Sequence, residues 1–295
     1  MKIGIILPIG ENDDGILDYG QIRGYALQAE TAGLDSLWLA DHLIYRFPEQ
    51  PERGVWEVWS LLAALAEATN HVELGTLVMC TAFRNPALLA KMAVTVDAIS
   101  SGRFTLGLGA GWHKPEFDAF GLPFDHLGSR FAEAMQIIVP LVREGEVDFT
   151  GSYYSAPNCT IRPRGPRPNG PPILVGAFKP RLLRLTAQHA DMWNTCWLGP
   201  ATQLDERLTA LHEACAEAGR DPATLTTTVG VVVGAPGDDE PPNPEKMLCG
   251  TVEEVAAGLR AYAERGVAHV ICYLTPFNAE SLNWLAEAAR LARAA

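Results

Sequence analysis

The chain of 295 residues carries 35 acidic against 23 basic side chains, a formal charge of −12, with 48% hydrophobic residues. That balance supplies one large core and excludes the basic surface with which proteins displace counterions from nucleic-acid phosphates. The sequence has no run of 18 apolar residues, which excludes a membrane-spanning helix. Its six cysteines lack CxxC spacing and read as buried thiols of a reducing cytoplasm.

The first residues resemble a secretory leader in having one lysine and an apolar run from Ile3 to Ile9. Pro8 and the acids Glu11, Asp13 and Asp14 stand where a small-residue cleavage site would be, so the run reads as a first buried strand. From there one grammar repeats: an Ala-rich helical segment, a Gly or Asn break, then a short apolar strand. The spacing predicts strands over 3–7, 35–40, 72–79, 103–109, 172–176, 191–195, 226–233 and 268–274. Helices are expected near 19–32, 56–69, 86–100, 128–143, 180–189, 202–218, 252–265 and 279–293.

Continuous apolar runs such as LGTLVM and HVICYL suit parallel strands covered on both faces. Eight alternations predict a single α/β domain over 1–295, a (β/α)8 TIM barrel, where a doubly wound sheet would more often have five or six strands. Thr251 with Glu254 reads as a capping box, and Gly33, Gly219 and Gly266 as left-handed helix ends. Two insertions break the rhythm: 112–127 after strand four and 144–171 before strand five. Both are rich in Gly, Pro and aromatics and are expected to be loops or hairpins.

Functional groups of barrels gather where strands end. Strand two ends in Asp41 and His42, and an imidazole there can give or take a proton near neutrality. An isolated histidine is more often structural; the strand end is what favours catalysis. Gly107, Gly109 and Gly111 share one side of strand four, leaving room for a flat ring, or else marking a tight barrel corner. Trp112 directly after them favours a planar ligand.

From Phe149 to Ala190 there is no acid, while Arg162, Arg164, Arg167, Lys179, Arg181 and Arg184 all fall within that span. Beside a helix N-terminus after strand five, that stretch predicts an anionic ligand; a solvated basic loop is the plainer alternative. GxSxG, Walker and HExxH patterns are absent, and His113 and His126 lack cysteine partners at ligand spacing, so no metal is expected.

At these positions the chain resembles the bacterial luciferase-like monooxygenase superfamily, and within it the branch that uses coenzyme F420, a deazaflavin. The matching segments are IGIILP (3–8), AGLDSLWLADHL (32–43), ELGTLVMCTAFRNPALLAKMAVTVDAISSGRFTLGLGAGW (73–112), PPILVGAFKPRLLRLTAQHADMWN (171–194) and GTVEEVAAGLRAYAERGVAHVICYL (250–274). The resemblance implies that Asp41 and His42 contact the ring system, with His42 as proton donor or acceptor.

It further implies that Thr76, Leu77 and Val78 form a strand-three bulge propping the ring through a cis Leu77–Val78 peptide. Ala110, Gly111 and Trp112 would form the floor, with Trp112 shaping the catalytic pocket. Gly176, Ala177, Phe178 and Lys179 would hold the phosphate side, with Arg181 helping Lys179 to neutralise the cofactor's acidic tail.

The implied activity is hydride transfer between the deazaflavin C5 and a small organic substrate, in a homodimer. FMN, in an oxygen-using monooxygenase, is the alternative cofactor. One departure stands out. Some sugar-phosphate dehydrogenases of this branch carry a catalytic Glu after the strand-four GxG, where this chain has Trp112, which argues against sugar-phosphate oxidation.

Overall fold

Each predicted apolar run becomes a strand in the computed structural model, which describes residues 1–13, 15–237 and 243–294; Asp14 of the N-terminal acids lies outside them. The barrel strands are β1 (Lys2–Ile6), β2 (Ser36–Leu39), β3 (Glu73–Thr76), β4 (Phe104–Gly109), β5 (Ile173–Gly176), β6 (Met192–Leu198), β7 (Thr226–Gly234) and β8 (His269–Thr275). All are parallel and each pairs with the next. The ring closes where β8 meets β1 through Lys2↔His269.

Outside them lie α1 (Tyr19–Thr31), α2 (Val58–Ala68), α3 (Pro86–Ile99), α4 (Leu127–Arg143), α5 (Pro180–His189), α6 (Asp205–Glu217), α7 (Val252–Ala263) and α8 (Ala279–Ala294). The expected eightfold barrel is thus present among the described residues. Thr251 and Glu254 form the capping box on α7, and Gly33, Gly219 and Gly266 have positive φ just beyond α1, α6 and α7.

Alternate residues of each strand face in opposite directions, which divides the burial into two layers. Outward residues such as Ile3, Ile5, Leu37 and Leu39 pack under the helices. Inward residues fill the lumen with Trp38, Leu77, Leu174 and Ile271, flanked by Ile6, Val78, Met192 and Cys196. At about 1.5–3 kcal/mol for each large side chain removed from water, these layers dominate the stability. Trp38 fits because its neighbour on β3 is Gly75, where a Cβ would lie 2.3 Å from the indole.

The Trp38 indole N–H donates to Ser36 Oγ at 2.7 Å, and Ser36 Oγ meets His269 Nε2 at 2.7 Å. Burial, then the charges of Lys2 and the N-terminus, push His269 down to about 3. An unfolded imidazole takes its proton near its ordinary value of about 6.5, so this group's contribution is complete above that pH and is lost as pH falls from 6.5 toward 3. His269→Gln should remove up to about 1.4 kcal/mol per pH unit of that slope. Urea midpoints measured between pH 6.5 and 4 check it; an unchanged slope would show that His269 is not the group responsible.

β3 stops at Thr76, and pairing with β4 resumes at Met79↔Leu108 and Cys80↔Gly109. Across the gap the Thr76 hydroxyl replaces the ladder, donating to the Gly107 carbonyl and accepting from the Gly107 N–H, each at 2.8 Å. The Leu77–Val78 peptide between them is cis, as the resemblance implied. A Cβ on Gly107 would sit 1.9 Å from the Thr76 carbonyl oxygen, and one on Gly109 2.5 Å from Val78 Cγ2. These two glycines therefore make room for the β3 bulge. The expectation that they bare β4 for a ring directly is corrected.

The first insertion also departs from a plain loop. Lys114–Phe120 is a helix, with Pro115 in its first turn and Gly121 left-handed at its end. Its Phe117 is buried against Phe83 and Phe124, each with ring centroids 4.9 Å away. Helical spacing was masked by the aromatic and proline content of so short a segment.

The second insertion contains the expected hairpin, Glu146–Thr150 with Ser155–Thr160. Glu133 of α4 accepts from the N–H groups of Ser152, Tyr153 and Tyr154 at 2.8–3.0 Å, laying the hairpin tip along α4. Arg130 stands 4.6 Å over the Tyr153 ring, so the tip reaches the N-terminal end of α4, at the barrel's catalytic face.

Candidate active site

The chain leaves β2 at Leu39 and turns through Asp41 and His42 into a small hairpin, Ile44–Tyr45 with Arg53–Gly54. His42 Nδ1 lies 3.2 and 3.3 Å from the two oxygens of Glu116, on the insertion helix after β4. Glu116 is buried and also accepts the Leu43 N–H at 3.0 Å. A carboxylate beside Nδ1 holds the proton there, so the neutral ring keeps Nε2 as the acceptor. Among the described residues Nε2 has no hydrogen-bond partner, and the side chain is 14% exposed.

His113, two positions beyond Gly111, plays a different part. Its Nε2 accepts the Arg46 N–H at 3.1 Å, which requires a neutral ring, and burial pushes its basicity down while Glu116 opposes and His42 adds to the shift. It braces the loop that carries Tyr45.

Asp41 sits behind His42. Its carboxylate accepts the Cys80 N–H at 3.0 Å and the Arg84 guanidinium at 2.6 and 3.1 Å. Arg84 continues to Glu57, whose carboxylate caps the start of α2. Burial pushes the Asp41 carboxyl up, and Arg84 opposes it. Its side chain is buried and joins β2, the bulge and α2.

Thr76 is likewise fully buried, and its hydroxyl is spent on Gly107, which holds the bulge in place. Leu77 points into the lumen cluster. Val78 is the bulge residue left partly open, its methyl groups against Gly109 and Gly176; a Cβ on Gly176 would lie 3.1 Å from Val78 Cγ1. Ala110 and Gly111 follow partly open, and Gly111 has φ +86° with Cys80 Sγ 2.6 Å from where a Cβ would stand. The turn that presents Trp112 therefore needs glycine.

Around this floor the rim is aromatic. Trp112 meets the His42 ring edge-on at 5.7 Å, and Tyr45 tilts against His42 at 4.5 Å. Phe47 stacks on Trp112 at 6.3 Å. Burial, then Glu116 and Tyr273, raise the Tyr45 phenol, which keeps it protonated as a hydrogen-bond donor.

After β5, Ala177 is buried, its N–H donating to the Asn194 carbonyl at 3.0 Å and its carbonyl accepting the Trp193 indole at 2.8 Å. Phe178, Lys179 and Arg181 remain exposed at the start of α5. Lys179 Nζ lies 5.9 Å over the Phe178 ring, and Arg181 donates to Ser129 Oγ at 3.0 Å.

The other bases of the acid-free stretch are largely employed elsewhere. Arg164 donates to the carbonyls of Val142, Arg143 and Pro168, Arg167 pairs with Asp97, and Arg184 lies 3.9 Å from Glu217. Acids from outside the segment thus meet Arg167 and Arg184, while Arg162 is exposed and Lys179 and Arg181 stand exposed at the end of β5. A depression of about 510 Å³ opens at the opposite, N-terminal end of the barrel, but its cations are taken: Lys2 by Glu73, Arg143 by Asp191, Arg167 by Asp97. Active sites of this fold sit at the other face, where His42 is.

Residues 1–240 match the profile of the luciferase-like monooxygenase family. The chain belongs to that family. It is similar to the F420-dependent glucose-6-phosphate dehydrogenase of Kineococcus radiotolerans: the two are 33% identical over 221 residues, 72% of this chain and 63% of that one. It is similar also to the pyrimidine monooxygenase RutA of Methylobacterium radiotolerans, 34% over 241 residues, 75% of this chain and 61% of that one. The chain thus spans less than two thirds of the length of both.

The phthiodiolone/phenolphthiodiolone dimycocerosates ketoreductase of Mycobacterium kansasii matches at 30% over 269 residues, 84% and 72% of the respective chains. In backbone the chain superposes on an F420-dependent secondary alcohol dehydrogenase, solved with an F420–acetone adduct, with a TM-score of 0.83 and 19% identity over 99% of both chains.

For this luciferase-like chain the residue that sequence reasoning missed is Glu116. Pro115 and Glu116 carry the signature of a helix first turn. That signature would have placed the helix, but a first-turn glutamate ordinarily faces solvent, and nothing local showed that this one turns inward to His42.

Proposed function

We propose that the protein is an F420-dependent oxidoreductase acting on a small organic compound, with His42 as its proton carrier. The observation that carries this reading is His42 held through Nδ1 by buried Glu116, with Nε2 left for a ligand above the Val78 bulge. The surroundings suit a planar ring. Val78, Ala110 and Gly111 form a floor with little side-chain bulk, Trp112 borders it, and Lys179 and Arg181 stand exposed where an acidic tail would leave the mouth.

When bound, the deazaflavin supplies two-electron hydride chemistry at C5. The chain's own residues orient, exclude water and move the proton. His42 Nε2 accepts a proton when an alcohol is oxidised, or delivers one when a carbonyl is reduced. Glu116 keeps the ring in the tautomer that does so and stabilises the imidazolium formed.

Fluorescence titration with F420 and with FMN tests the assignment. F420 should bind tightly and FMN weakly, and Lys179→Ala combined with Arg181→Ala should weaken F420 by about tenfold at low salt and less at high salt. Tight FMN binding without F420 binding would overturn the reading in favour of a monooxygenase.

A further inference from the structure

Trp197 stands out on the rim. β6 loses its register with β7 between Thr195 and Leu198, and Trp197 in that break has φ +63°. A bulky side chain is rarely held in the left-handed region, and such strain persists where the surroundings impose it. Arg207 imposes it here, donating to Thr195 Oγ1 and, at 3.2 Å, to the Cys196 carbonyl. The strained residue buries little: Trp197 is 64% exposed, touching Tyr273 edge-on at 5.5 Å. A strained backbone that presents a bare indole at the active mouth has no packing reward of its own.

We infer that Trp197 and Tyr273 form the substrate wall facing His42 and Trp112, and that the site takes an uncharged aryl-bearing ketone or its alcohol. This rests on the proposed F420 chemistry, in which the carbonyl carbon gains a hydride from reduced cofactor, the oxygen gains a proton from His42, and the cofactor is oxidised by two electrons. Tyr273 lies near enough to Tyr45 on the other wall to raise its phenol further, after burial and Glu116.

Charge points the same way. Cations near the mouth are already paired, Arg46 with Glu52, Lys114 with Asp118 and Arg84 with Asp41. Lys179 and Arg181 are assigned to the cofactor tail, so none of these cations is left to match a substrate phosphate. Aromatic faces favour a flat apolar group instead.

Calorimetric titration of the cofactor-loaded protein with acetophenone, cyclohexanone and glucose 6-phosphate tests this. Acetophenone should bind about five- to tenfold tighter than cyclohexanone, and glucose 6-phosphate weakest. Trp197→Gly should lose that preference for acetophenone, leave F420 affinity unchanged, and hold or raise the Tm, because glycine accepts the left-handed backbone. Trp197→Phe should keep most of the preference.

The inference is overturned if Trp197→Gly binds acetophenone like the wild type, or if glucose 6-phosphate binds best. If neither F420 nor FMN binds, the proposed function fails on its own. The same titrations on the protein alone then still decide the wall, since the aryl preference and its loss in Trp197→Gly need no cofactor.

Discussion

His42→Ala should lower single-turnover oxidation of reduced F420 by substrate about 10²- to 10⁴-fold, with F420 affinity unchanged. The size follows from the loss of a positioned proton carrier. The selectivity follows from geometry, since His42 contacts Glu116, Tyr45 and Trp112, while the bulge and the Lys179 region that would hold the cofactor stay intact. Glu116→Gln keeps an acceptor for the Nδ1 proton but withdraws the negative charge beside it. Its turnover should fall by about tenfold, with a displaced pH–rate profile. A His42→Ala protein that turns over at the wild-type rate would remove His42 from the mechanism, and one that no longer binds F420 would make it a binding residue.

Arg84→Ala should be the most destabilising single change near the site, by about 3–5 kcal/mol. Asp41 is buried, and Arg84 is its cationic partner, at 2.6 and 3.1 Å. Removing the guanidinium leaves the burial effect that raises the Asp41 carboxyl without its main opposition. It also frees Glu57 at the start of α2. The loss should shrink as pH falls, because a protonated Asp41 has no charge to strand. The double change Arg84→Met with Asp41→Asn should recover much of it, as apolar replacement of a buried pair often does. Urea unfolding at pH 7.5 and 5 reads all of this; equal losses at both values would show that the pair is not ionised in the folded protein.

The two predictions divide the Asp41–His42 dipeptide into a structural and a chemical half. Adjacent in sequence, the side chains point apart, one down to the bulge and Arg84, the other up to Glu116 and the mouth. Position at a strand end was readable, and so was the aptitude of an imidazole for proton transfer. The partners each side chain takes, Arg84 for Asp41 and Glu116 for His42, lie 43 and 74 residues away.

Local periodicity alone determined the barrel, its eight strands, the helix ends at Gly33, Gly219 and Gly266, and the capping box of α7. Each is set within a few residues by burial pattern or backbone preference. The cis bulge and the residues lining the mouth were legible through resemblance, because their segments stay recognisable as strings. Tertiary structure decided the rest. It put the β3 bulge into the space that the β4 glycines leave, and brought Asp97 and Glu217 from outside the segment to Arg167 and Arg184. It turned Glu116 inward to His42 and pressed Trp197 into an exposed, left-handed bend. These features arise where distant strands and helices meet, and no window along the chain contains both partners.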